Sequence, residues 1–259
     1  MEIVKATLRL YRDTLADTWR SLGRSVWAIG FLLAANVGFY VLAVLLSGTG
    51  MAGGFVLGFV QAGLIGWYLA LLDVAVVSRR KLRFDDLRDG FGAYFWETIS
   101  VLFLFFVPEL ILGLSMPQLV PVLVPIAALL FNPAPEALYQ DRTQSVQLLG
   151  DALRFMQHNW PEWLAPHLVA VGVLLGWGWA LTGVVRPTWW IDVVQTFGPF
   201  FEFIQPGRLA LRLGGLGAAG ILSFLGLLLF VHAFMLFRGH LYRRLRSSSR
   251  RGRTWQARL

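Results

Sequence analysis

No cysteine occurs in the 259 residues. Disulfides, thiolate nucleophiles, Cys-ligated zinc, haem attachment through thioethers and Cys-held iron–sulfur clusters are excluded in one step. Charge is scarce too: Asp, Glu, Lys and Arg make up 15% of the chain, where soluble domains carry about 25%. The sequence also lacks a phosphate loop of the Walker type, a G-x-S-x-G elbow and an HExxH pair. These gaps leave no catalytic constellation to build an enzyme on, no catalytic residue and no metal set. The expectation is a protein that is not an enzyme and needs no cofactor.

Apolar residues make up 56% of the chain, including 11 Trp and 20 Phe, and they fall in long runs. A bilayer crossing needs ~20 mostly apolar residues, and a soluble helix would carry a polar face that these runs do not have. Six runs are read: 26–46, 55–77, 99–114, 117–131, 163–185 and 209–236. The fourth is the odd one. Pro117, Pro121 and Pro125 recur every four residues before Asn132-Pro133-Ala134-Pro135. Because proline removes a backbone donor and bends a helix, a broken or partial crossing is expected, with freed carbonyls in need of partners.

Between these runs lie polar segments. Val4, Leu8, Tyr11, Leu15, Trp19, Leu22 and Val26 recur at helical spacing, with Lys5, Arg9, Arg12 and Arg20 around them. That is a basic amphipathic helix suited to an anionic membrane surface. A second polar helix is expected over 85–98, N-capped at Asp85-Asp86, and a third polar segment opens at Pro135-Glu136. Pro161 should interrupt the helix between His158 and Glu162. The stretch 187–206, with Trp189, Trp190, Gly198-Pro199 and scattered polar residues, reads as an interfacial segment.

Three short matches, Leu15-Ala16-Asp17, Leu87-Arg88-Asp89 and Leu149-Gly150-Asp151, start polar segments that each lead into an apolar pair. They suggest parallel repeats over 3–78, 79–131 and 135–237. The expected architecture is therefore all-α and polytopic: six transmembrane helices in three hairpins, each preceded by a cytoplasmic amphipathic helix. One membrane domain covers 1–237 and a basic tail covers 238–259.

The net charge is +8, and the positions of the basic residues assign it to a membrane instead of a nucleic acid. With both termini cytoplasmic, 20 of the 23 Lys and Arg lie inside and only Arg186, Arg208 and Arg212 lie outside. The positive-inside rule selects that orientation, in the inner membrane of a bacterium. Arg243, Arg244, Arg246, Arg250 and Arg251 in the tail, with Trp189 and Trp190, are expected to form a surface for lipid headgroups or a partner.

Four polar residues fall inside the runs. Glu109 follows Pro108 in the third run and could hold a proton or cation, or else reach headgroups or pair with Arg186 or Arg212. Asp73 sits before Arg79 and Arg80 and is expected to pair with one of them. His167 and His232 could join Glu109 in a proton relay or a metal site, but nothing in their spacing requires it; bonding to a neighbouring helix carbonyl is the simpler reading.

An amphipathic helix leading into a membrane hairpin, with Asn132-Pro133-Ala134-Pro135-Glu136-Ala137-Leu138-Tyr139-Gln140 between hairpins, resembles a broad group of bacterial polytopic membrane proteins. It is similar in pattern to the membrane domain attached to some glycerophosphodiester phosphodiesterases. The phosphodiesterase catalytic domain has no counterpart in this sequence. The resemblance therefore implies a membrane fold and transfers no catalytic residue. A membrane subunit or scaffold within a larger assembly is expected, with bound lipids and other membrane subunits as partners. The alternative is a transporter or lipid-handling permease component that uses Glu109 and the proline-broken fourth span.

Overall fold

The computed structural model describes residues 2–143, 145–182 and 218–247. These residues are helical, and no strand occurs among them. The helices are α1 (Glu2–Arg24), α2 (Val26–Leu46), α3 (Met51–Leu72), α4 (Phe84–Asp89), α5 (Phe95–Ser115), α6 (Val120–Leu130), α7 (Ala134–Asp141), α8 (Ser145–Thr182) and α9 (Ala218–Ser247). The end of α3 loosens into a π-helical turn, Asp73–Val77, and α6 is entered through a 3₁₀ turn, Pro117–Leu119.

Five of these segments are long and apolar enough to cross a bilayer: Val26–Leu46, Met51–Val77, Phe95–Ser115, Pro117–Asp141 and Gly220–Ser247. The chain is an all-α polytopic membrane protein. The remaining expected run is the second half of α8, which reaches the limit of the described residues at Thr182.

Several boundaries differ from the sequence reading, each for a local reason. The first connection is shorter, because α3 already starts at Met51, after Gly50 turns the chain at φ +60°. The expected polar helix over 85–98 is two pieces. Its first, α4, ends at Asp89, and Gly92 (φ +78°) lies in the turns that separate it from α5. Its first turn is held by Asp86, whose carboxylate accepts the Arg83 N–H at 2.7 Å and pairs with Arg80. Pro161 does not interrupt the third polar segment, since α8 runs through both Pro161 and Pro166. That segment breaks earlier, at Arg142, which adopts a left-handed conformation (φ +54°) after α7.

The fourth crossing is broken, but not at the prolines that suggested it: α6 runs through Pro121 and Pro125, and the break comes at residues 131–133. Its halves differ. α6 buries none of its side chains, whereas Ala134, Pro135, Glu136, Ala137, Leu138 and Tyr139 of α7 are all buried. The continuous core gathers around the last two-thirds of α9, with Leu227, Leu228, Val231, Met235, Leu236, Leu241 and Tyr242 at its centre.

The longest packed seam joins α1 to α9, and it uses a different face of α1 from the apolar stripe expected at the membrane surface. The buried stripe is Leu10, Thr14, Thr18, Ser21 and Ser25, while Val4, Leu8, Leu15 and Trp19 point outward. The hydroxyls make this possible. Thr14, Thr18 and Ser25 each donate to the carbonyl one turn earlier, at 2.7, 2.8 and 2.8 Å. Their polar groups are satisfied inside the helix, and the face they leave is narrow. The outward apolar stripe keeps the amphipathic character that the sequence predicts.

Candidate functional site

The densest polar constellation lies where the segment 132–141 meets α8 and α9. Asn132 Oδ1 accepts the Trp163 indole N–H at 2.8 Å, and its backbone carbonyl accepts Arg238 Nη2 at 2.6 Å. The same nitrogen pairs with Glu136 Oε2 at 2.8 Å. Arg238 is 1% exposed and Glu136 fully buried, and the guanidinium lies over the Trp163 ring, 5.5 Å from its centroid. A cation over an indole face gains from the ring quadrupole, most of all where water is excluded.

The next turn of each helix continues the junction. Gln140 Nε2 donates to the Gly239 carbonyl at 2.9 Å and to the Tyr139 hydroxyl at 3.1 Å. One turn later the Tyr242 hydroxyl donates to Asp141 at 2.6 Å, and Arg246 pairs with the same carboxylate at 3.0 Å. Gly239 is required here: a Cβ at that position would stand 2.3 Å from the Tyr139 hydroxyl and 3.0 Å from Val76. The helices meet at a distance that only glycine permits.

On its other side α9 carries a second set of bonds. His232 lies between the Tyr68 hydroxyl (2.9 Å to Nδ1) and Ser25 Oγ (2.9 Å to Nε2). Ser25 spends its own proton on the Ser21 carbonyl, so Nε2 of His232 donates and Nδ1 accepts from Tyr68. One tautomer satisfies all three groups. His240 Nε2 meets Ser21 Oγ at 2.8 Å. Beyond it Arg244 pairs with Asp17 at 2.6 Å, and Arg243 donates to the Val76 carbonyl at 3.1 Å. Burial alone would raise the Asp17 carboxyl, but the hydrogen bond and charge of Arg244 outweigh it and hold the group below the usual range.

The sequence-predicted residues fall in different places. His232 is one of these bolts. His167 is buried on α8, its Nδ1 at 2.8 Å from the Trp163 carbonyl and its ring against Phe234. Glu109 is exposed on α5. His232 is bonded to Ser25 and Tyr68, His167 meets the Trp163 carbonyl, and no bond among the described residues joins either to Glu109. Among the described residues no group of three or more His, Asp and Glu converges as a metal would require.

Asp73 does not pair with Arg79 or Arg80. Arg80 is taken by Asp86, and Asp73 accepts from the Tyr94 hydroxyl at 3.2 Å. Burial, then the Asp73 charge, pushes the Tyr94 hydroxyl up to about 12, so it remains a donor at every ordinary pH. Asp73 lies at the wall of a cavity of about 540 Å³, with Asp86, Asp89, Glu97, Arg80 and Arg142 around it.

The boundary expected at 237/238 falls inside α9, which continues to Ser247. Arg243, Arg244 and Arg246 make bonds within the molecule, while Arg243 and Arg246 remain exposed. Arg250, Arg251, Trp189 and Trp190, with the interfacial segment and Arg186, Arg208 and Arg212, lie outside the described residues. The repeat gains no support from its aspartates. Asp17 pairs across to α9, Asp89 lines the cavity and Asp151 pairs only along its own helix, with Arg154 at 2.8 Å.

The residues that sequence reasoning missed are Asn132, Glu136, Tyr139, Gln140, Asp141, Arg238 and Tyr242. One signal was present: Glu136 and Arg238 each sit at the edge of an apolar run, where an unpaired charge would be costly.

No protein-family model, no curated protein and no solved structure matches the chain. The expected likeness to the phosphodiesterase membrane domain therefore transfers no role to any residue.

Proposed function

We propose that this chain is a non-enzymatic integral membrane subunit that works inside a larger membrane assembly. One observation carries the reading. In the most apolar stretch of α9, 56% of residues are buried, against 11% for α5 and 17% for the crossing that contains α6. The core ion pair Glu136–Arg238 and the bonds of Asn132, His232 and Arg244 join α1, α3, α7, α8 and α9 to one another. The α5–α6 hairpin packs on α3 and α8 through one side, where Thr98 and Val101 are buried, and leaves broad apolar faces on the other side to meet lipid or another protein. We place the protein in a bacterial inner membrane with both termini cytoplasmic. The basic segments support this, since Arg24 bonds the Arg79 carbonyl and Arg244 bonds Asp17, gathering them at one end of the bundle.

The test is extraction from native membranes in a mild detergent, followed by sizing and mass spectrometry. Other polypeptides travelling with the chain in fixed ratio are the expected result; a lone chain overturns the proposal. The absence of cysteine makes the orientation equally testable. Single cysteines introduced at Ser47 and Ser247 should be labelled from opposite sides of the membrane.

A second reading, a carrier component, draws on the cavity beside Asp73 at the π-helical end of a spanning helix, since π turns recur at functional sites. On that reading Asp73→Asn abolishes solute movement while leaving the fold intact. On the subunit reading it alters neither assembly nor partner.

A further inference from the structure

Glu109 is the charged side chain of α5's outward face that neither the buried junction nor the cavity uses. It lies 14 positions after Phe95 and six before Ser115, ~21 Å and ~9 Å along the helix at 1.5 Å per residue. It is exposed, and none of the ion pairs among the described residues includes it. Phe106, Leu110 and Gly113 share its stripe at three- and four-residue spacing. Phe106 is 50% and Leu110 47% exposed, and a Cβ at Gly113 would meet open space.

An ionised carboxylate on a spanning helix faces protein, a water-filled path or a counter-charge, and lipid tails supply none of these. Long basic side chains reach back to headgroups from such depths, but a glutamate is too short to cover ~9 Å. A second copy of this chain is a poor occupant, because a two-fold interface on the stripe would set Glu109 against Glu109. The stripe calls for a cation, delivered at one depth, on an apolar element slim enough to lie against Gly113.

We propose that the Glu109 stripe of α5 is the docking face for a transmembrane helix of another polypeptide that carries a Lys or Arg at the matching depth. This rests on the subunit reading and names the partner's chemistry. The apolar neighbours supply contact area, Gly113 permits close approach, and the ion pair fixes register and partner choice. Away from its partner, the hairpin holds a carboxylate that no described residue pairs with.

The experiment uses the full chain in phosphatidylcholine vesicles, labelled on the Ser247→Cys variant. The probe is a synthetic leucine-rich helix of ~20 residues with one Lys placed six positions from its outer end; energy transfer reports association. We expect the Lys helix to associate at least tenfold more strongly than an all-leucine helix. Glu109→Gln should remove that difference, and Glu109→Lys paired with a Glu-bearing helix should restore it. Equal association of the Lys and leucine helices overturns the proposal, as does a preference that survives Glu109→Gln. Transfer between two labelled copies that is lost in Glu109→Gln also overturns it and gives the face to self-association. The two readings fail separately. A stoichiometric partner that still co-purifies with Glu109→Gln keeps the subunit and removes this docking face, whereas a lone chain from native membranes removes both.

Discussion

The two halves of the fourth crossing make the most instructive pair in the molecule. α6 and α7 are separated by three residues, yet α6 buries no side chain and α7 buries nearly all of them. α6 is apolar all round and can rest in lipid wherever it lies. α7 carries Glu136, Gln140 and Asp141, preceded by Asn132, and a bilayer tolerates such groups only when each finds a partner. Polar content, not apolar content, therefore decides which half joins the core. The apolar segments set where the protein resides, and the polar ones set how its helices are arranged.

The strongest way to break that contrast is to leave half of a pair behind. Arg238→Ala or Glu136→Ala should each destabilise the protein by ~3–5 kcal/mol, because a single uncompensated charge remains in the interior. The double variant Glu136→Leu/Arg238→Met removes both charges and should recover much of the loss. Thermal unfolding of detergent-solubilised protein measures all three. A double variant as unstable as the singles would show that the pair's packing, and not its charge balance, holds the junction.

Close approach comes next in size. Gly66→Ala would place a Cβ 2.8 Å from the backbone carbon of Tyr94, where nothing flexible can yield. Gly239→Ala meets the Tyr139 hydroxyl, which could swing away only by abandoning Gln140. Each should cost ~1–3 kcal/mol through overpacking, with Gly66→Ala the larger. Gly113→Ala on the free hairpin serves as the control and should leave the midpoint unchanged.

His232→Phe tests the other side of α9. Ser25 and the buried Tyr68 hydroxyl would both lose their partner, at ~1–3 kcal/mol for the unsatisfied groups. His232→Gln, which can still donate and accept, should restore part of it. If Phe proves as stable as His, the ring matters for its volume alone.

A smaller effect is expected at the rim. Asp17 is held below its ordinary value by Arg244, so its contribution is fully present above the unfolded value of ~3.9 and is lost as pH falls through the lower folded value. The partners are 16% and 35% exposed, and such pairs contribute ~0.2–1 kcal/mol. Unfolding midpoints of Asp17→Asn should therefore lie slightly below those of the unsubstituted protein at neutral pH and converge with them below about pH 4. A gap that persists in acid would rule out the charge as its source.

How much of this was legible in the sequence depends on which force set each feature. Hydrophobic runs mark spans by length alone, whereas the prolines at 117, 121 and 125 suggested a break that falls instead at 131–133, beside Asn132-Pro133. The second polar helix was misplaced because Gly92's positive φ decides its end, and no periodicity reports that. α1 showed two usable stripes. The apolar one, read as a membrane-surface face, stays outward, while Thr14 and Thr18, which bond their own helix, and Ser21, which meets His240, form the narrower surface against α9. The Glu136–Arg238 pair joins residues 102 positions apart, and no local pattern links them. Glu109 stood out in the sequence as a carboxylate inside an apolar span, and in the structure it is exposed there with no ion pair among the described residues.

That isolation supplies the smallest expected change in stability and the clearest contrast with the core. Glu109→Gln replaces an exposed side chain that no described residue pairs with, so the isolated chain should shift by no more than ~0.5 kcal/mol. The same substitution should alter what the hairpin associates with inside a membrane. Core and hairpin would then answer to different measurements, the first to unfolding and the second to assembly. A Glu109→Gln chain that unfolds several degrees earlier in detergent would mean that Glu109 is bonded within the molecule. In that case the unburied hairpin is part of the fold, and the division drawn between α6 and α7 does not extend to α5.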